Sequence, residues 1–200
     1  MTRFKFESAN LIVVGTFNIH IFSPPWLEKC GVVEGAPKHM EFALSRPGFR
    51  VGLDKDATKL IVDPQRIEIV TKSPSFDCGS PISKILRRLA ETPLVAVGAN
   101  VTFKANLDET HPLLSNLPTR LAGIGCKRHA ASVSLEASEE ESLGVSLEQT
   151  ARLIRASGNH ETRSEDSAVL ASAAEKFISS TQHLKFLIEE AWGIETESAG

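Results

Sequence analysis

The chain has 200 residues, 42% hydrophobic and 24% charged, with a net charge of −3. That is enough apolar content for one core, which excludes wholesale disorder, and no apolar run approaches the ~18 residues of a membrane helix. The first residues, Met1 to Glu7, carry no apolar leader segment, and the acidic average argues against a general nucleic-acid coat, so a cytoplasmic protein without a membrane partner is expected.

Leu11 to Val14 is a continuous apolar run, as in a buried strand. Phe17, Ile19 and Ile21 then alternate with Asn18 and His20, which extends the strand to Phe22 with Asn18 and His20 on its wet face. A short helix follows over Ser23 to Gly31. Ser23 is its cap, Pro24 its first residue and Gly31 its left-handed end, with Trp26, Leu27 and Cys30 turned to the core. Met40–Leu44, Phe49–Leu53, Lys59–Val62 and Arg66–Thr71 are short strands separated by turn residues. They follow too closely for parallel crossovers, so they form an antiparallel meander.

Ser80 to Glu91 is a helix capped by Ser80. Ile82, Ile85, Leu86 and Leu89 make one apolar stripe and leave Lys84, Arg87 and Arg88 outside. Pro93 opens a second long β run over Leu94–Lys104, and Asp108 caps a Pro-interrupted helix through His111 toward Leu117. Residues 119–128 give no single reading. Ser132–Ala137 alternates as a strand, and Glu139–Glu141 is a turn. Over 143–157, alternation at Val145, Leu147 and Leu153 competes with a capping box at Ser146 and Gln149. From Glu165 to Trp192 one long helix runs from a Ser164 cap to Gly193. Its core stripe is Leu170, Ala174, Phe177, Leu184, Ile188 and Ala191, and an acidic flexible tail follows at 195–200.

The two long β runs can be laid on each other, matching Leu11 with Leu94, Val14 with Val97, Gly15 with Gly98 and, after one gap, Asn18 with Asn100. Each leads into a short proline-containing helix, then strands, then a longer helix. A duplication would put 145–157 where strand 66–71 stands, which favours strand there. The expected fold is α+β, a single domain over 1–200 of mostly antiparallel sheet. It has two pseudo-repeated strand–short helix–strands–long helix halves (1–92 and 93–194) and helices packed on one face. This order of elements resembles the TATA-binding-protein-like and helix-grip layouts, in which one curved antiparallel sheet packs on long helices. The resemblance is to the order alone, and no function or residue is carried over from it.

Chemistry-bearing motifs are sparse. Three cysteines, Cys30, Cys78 and Cys126, are an odd, scattered set that reads as reduced thiols. Cys126 and His129 have metal-like spacing, with His111 and Cys78 as further ligand candidates, but no second paired motif completes a zinc set. There is no nucleophile elbow, Walker loop or dinucleotide fingerprint. Asn159-His160-Glu161 reads as a solvated turn. Residues 1–104 carry 14 basic and 10 acidic side chains and residues 105–200 carry 8 and 15, so the charge is polarised between the halves.

By elimination, the expected function is a non-catalytic protein-interaction domain, an adaptor or assembly subunit. Its partner is another protein or a second copy, with no cofactor and no metal. The candidate binding residues are Trp26 and Trp192 as apolar anchors, and Arg87 and Arg88 as exposed cations. One alternative is a small hydrolase or metal-dependent enzyme using His111, Cys126 and His129 or His160. A second is a nucleic-acid module contacting phosphates through Arg87, Arg88, Lys127 and Arg128. Without tyrosine, and with its phenylalanines in strand interiors, it lacks stacking platforms, so nucleic acid is not the expected partner.

Overall fold

The structure, a computed structural model, describes residues 3–33, 40–42, 48–54, 57–106, 128–150 and 153–197. Strand β1 (Arg3–Gly15) is followed by a 3-10 turn (Ile19–Ile21) and helix α1 (Pro24–Lys29). Strands β2 (Met40–Phe42), β3 (Phe49–Asp54), β4 (Thr58–Asp63) and β5 (Arg66–Thr71) precede α2 (Gly79–Leu86). Then come β6 (Leu94–Asn106), β7 (Arg128–Glu136), β8 (Glu141–Thr150) and β9 (Leu153–Arg163). Helices α3 (Ser167–Glu175) and α4 (Phe177–Trp192) and the short β10 (Glu195–Thr196) close the described chain. The protein is therefore α+β, built on one large antiparallel sheet in the order β2-β3-β4-β5-β1-β6-β9-β8-β7.

Register fixes the two sides of this sheet, because opposed residues share a face and successive residues alternate. Leu11 stands opposite Ile69 and Ala99, Ile69 opposite Leu60, and Leu60 opposite Val51. All five are buried and belong to one core, which also takes in Leu27 of α1, Ile82, Ile85 and Leu86 of α2, Leu170 of α3 and Leu184 and Ile188 of α4. On this core side α3 lies against β6 and α2, and α4 lies against β6, β8 and β9. The β2–β5 meander stands as the sequence predicts. Ile82, Ile85 and Leu86 form the buried stripe of α2, but the helix expected to run to Glu91 ends at Leu86, so Leu89 is buried beyond its end.

Several expectations change. Residues 19–21 are not strand: the Asn18 side chain accepts the His20 backbone N–H at 3.1 Å and turns the chain into a 3-10 helix. Ser23 and Cys78 occupy the cap positions of α1 and α2 without side-chain cap bonds, so Ser80 lies inside α2 and is not its cap. Gly31, at φ 68°, takes the expected left-handed end of α1. Within the contested stretch 143–157, residues 143–150 are strand in β8 and residues 153–157 are strand in β9. Asn159, His160 and Glu161, expected in a turn, lie inside β9, and His160 is half-buried.

The long C-terminal helix is two helices that break at Lys176, where Glu175 reaches α2. Its cap is Asp166, which accepts the Ala168 amide at 2.7 Å, while Ser164 supports Asp166. Its stripe is buried up to Ile188, but Ala191 is exposed. Gly193, at φ 58°, ends it. The tail expected from residue 195 begins instead as a strand, with Glu195 and Thr196 pairing in parallel with Arg3 and Phe4. The Glu189 carboxylate holds it by accepting both the backbone N–H and the hydroxyl of Thr196.

Candidate functional site

The side of the sheet away from the core, its open side, has no described helix packed on it and is the first candidate surface. In its central row Lys59, Val70, Asn10, Asn100, Asn159, Gly144 and Ser134 stand opposite one another from β4 to β7. The next row is hydroxylic throughout: Ser8, Thr102, Ser157, Ser146 and Ser132. Thr102 and Ser157 hydroxyls bond at 3.1 Å. Both rows come from the polar half of the strand alternation, so the residues that bury β1, β6 and β9 also dictate this surface. A Cβ added at Gly52 would meet nothing within 4 Å, and one at Gly144 would meet only β7 atoms, at 3.9 and 4.0 Å.

Charges frame this band, and most are already matched. Arg155 Nε lies 2.7 Å from Glu7 Oε2 and its Nη2 3.1 Å from Oε1, with Lys104 Nζ 3.5 Å away on the same carboxylate. The Arg155 hydrogen bond is the main reason the Glu7 carboxyl titrates below its usual range. At the other end Arg66 bonds Asp63 at 2.9 Å, and Arg163 bonds Glu161 at 2.6 Å. Asn10 Nδ2 donates to Glu68, a carboxylate only 9% exposed, at 2.7 Å. The enclosed Oδ1 of Asn10 has no partner among the described residues. Arg50 and Lys59 remain exposed toward the β3–β4 end.

A second candidate lies on the core side, beneath the α3–α4 junction. His160 Nδ1 and Ser180 Oγ are 3.0 Å apart, linking β9 to α4. Burial holds the His160 imidazole below its ordinary 6.5, against the opposing pull of Glu141. The void beside the pair is only about 20 Å³, although a cleft of about 390 Å³ opens next to it along Glu141, Thr162, Ala168 and Lys176. A nucleophile and a base in contact are the start of a hydrolytic site. Three features argue against one here. Ser180 is 8% exposed, its own amide is tied to the Lys176 carbonyl at 2.8 Å, and the void holds about one water. No free backbone donor at Ser180 is left to stabilise an oxyanion.

The residues singled out from sequence are scattered. Trp26 packs on the core, edge-on to Phe22 at 5.0 Å, and Trp192 packs on the same core with its indole nitrogen enclosed. Arg87 is exposed but ties α2 to α3, bonding Glu175 at 2.7 Å, and Ser83 donates to the same carboxylate at 2.7 Å. Arg88 is exposed in the turn just beyond α2. His111, Cys126 and Lys127 lie outside the described residues, as does the side chain of His129, whose backbone is in β7. Cys30 and Cys78 are buried free thiols, and burial pushes the Cys78 thiol far up. Among the described residues no group of three His, Cys, Asp or Glu could hold a metal, and no helix is long and apolar enough to cross a membrane. The asparagine and hydroxyl rows are not visible in the sequence because they form only when three strands, for the asparagines, or five, for the hydroxyls, align. No protein-family model and no curated protein matches the chain.

Proposed function

We propose that the chain is a non-catalytic protein-binding module whose docking surface is the open side of its sheet. In this reading two pseudo-repeated halves meet at β1 and β6, the described helices cover the core side, and the other side is left for a partner. The strand order supports it, running β1-β5-β4-β3 outward on one flank and β6-β9-β8-β7 on the other. The observation that carries it is the central polar band of Asn100, Thr102, Ser157 and Asn159, flanked by arginines already neutralised by their own carboxylates. The centre of the band is uncharged and rich in amide and hydroxyl groups, which suits hydrogen bonding to a protein, while the exposed Arg50 and Lys59 stand at one end of it. A polyphosphate needs uncompensated cations.

The test is affinity capture from the native cells with nuclease present, comparing wild type with Asn100→Arg/Asn159→Arg. One stoichiometric protein held by wild type and lost from a normally folded variant supports the reading. Equal capture by both refutes it, and nuclease-sensitive, steeply salt-dependent binding would install the nucleic-acid reading instead. Ester hydrolysis abolished by Ser180→Ala would replace this reading with a small hydrolase, against which the enclosure of the His160–Ser180 contact argues.

A further inference from the structure

The β7 edge and the groove beside it form a second surface, distinct from the open side. Strand β7 pairs with β8, and no described strand pairs with its other edge. Edge strands that must stay single carry lysines, prolines or bulges; residues 130–135 read Ala-Ala-Ser-Val-Ser-Leu, without charge or proline. Val133 and Leu135 are 44% and 50% exposed. They stand opposite Val145 and Leu143, which puts them on the core side at the rim that α4 fails to cover. Between them and Leu187 of α4 lies an apolar groove of about 280 Å³. Phe186, 55% exposed, adjoins Leu187 on α4, and Glu190, one turn on from Phe186, lines the groove.

We propose that this edge binds a second copy of the chain, with β7 pairing antiparallel to its own twin about Ser132. Such a pair is self-complementary, as a two-fold interface requires. Centred on Ser132, it sets position 128, an arginine, opposite position 136, a glutamate, at both ends of the strand pair. Any register shift loses that match at both ends. Faces are preserved across the axis, so Val133 and Leu135 of each copy continue one apolar strip and the two grooves adjoin. The unpaired backbone supplies the hydrogen bonds and the strip supplies the burial.

Sedimentation of the full chain at about 100 μM should give twice the monomer mass of 21.7 kDa. Val133→Lys/Leu135→Lys, with both sites exposed, should give a monomer with unchanged circular dichroism. In a Cys126→Ser background, Ser132→Cys should yield an oxidised covalent dimer, because opposed strand residues sit within disulfide reach. Wild type that sediments as a monomer overturns the proposal. So does a dimer that survives the double lysine variant, or one that leaves the introduced thiols unlinked. If the lysine variant fails to fold, the cross-link alone decides.

Discussion

The two sides of the sheet respond to the same small change in opposite ways. On the core side, Gly79 of α2 lets the α3 backbone approach more closely than any Cβ permits, and Gly158 of β9 lets α4 pack more tightly than most Cβ contacts allow. On the open side, Gly52 faces space. One sheet thus carries a side whose composition is dictated by packing and a side whose composition packing leaves free. Asn100, Thr102, Ser157 and Asn159 are on the free side. Their chemistry is therefore informative about binding, whereas that of Leu11 or Ile69 is informative only about the core.

The comparison breaks hardest at Gly79. A Cβ there would collide with the Ala174 carbonyl oxygen of α3 and stand 3.0 Å from Asp77 Oδ1. Backbone cannot swing aside as a side chain can, so α2 and α3 must separate. Gly79→Ala should cost about 3 kcal/mol, partly offset by alanine's better helix propensity, and lower Tm by about 5–10 °C. At Gly158 the same methyl would lie 3.0 Å from Leu184 Cβ and 3.3 Å from Ile188 Cδ1. These are side chains able to give a few tenths of an ångström, so Gly158→Ala should cost less, about 1–2 kcal/mol. Calorimetry of the two variants orders them. A Gly158 variant harmed more than the Gly79 variant would show that α4 is held more rigidly than α2.

Titration sharpens the contrast. Glu7, on the open side, titrates below its usual 4.5 because Arg155 donates to it. Its stabilising effect is complete above that value and is lost as pH falls through the lower folded one. Glu7→Gln should therefore be less stable than wild type near pH 7, with a gap that closes toward pH 3. His160, on the core side, is lowered from 6.5 chiefly by burial. The unfolded chain takes up its proton first, so stability holds above about pH 6.5 and declines as pH falls below it. His160→Gln should flatten the decline between pH 7 and 5, measured by urea midpoints. A slope unchanged in the variant would place that sensitivity elsewhere.

The strands and the α2 stripe were legible because burial imposes a period on each. Arg66–Thr71 alternates and is strand; Ile82, Ile85 and Leu86 repeat helically and are buried in α2, while Leu89, expected to continue the stripe, is buried beyond the helix end. What was illegible depends on a side chain doing backbone work or on strands aligning from afar. β1 ends at Gly15, and beyond it the Asn18 side-chain oxygen accepts the His20 N–H in a 3-10 turn, where the alternation of Phe17, Ile19 and Ile21 would have continued a strand. Glu175 reaches across to Ser83 and Arg87 where the long helix breaks, with neither glycine nor proline to announce it. The matching of Val14 with Val97 fails as a residue-level repeat. Val14 is 42% exposed on the open side and Val97 is 3% exposed on the core side. A duplicated strand must keep its faces, so any true correspondence between β1 and β6 needs an even offset.

The smallest expected effect is the most informative about the open side. A methyl group on Gly52 would meet nothing within 4 Å, and the backbone there has no left-handed φ. Gly52→Ala should therefore change stability by less than about 0.5 kcal/mol, leaning toward a gain because alanine loses less backbone freedom on folding. That near-zero change is a measurement of exposure: a side chain added to an uncovered strand meets only water. A loss comparable to that of Gly158→Ala would mean that part of this chain lies over the β3–β4 end of the sheet. The open side would then be an interior, and its polar rows would be internal hydrogen-bonding groups with no partner to recognise.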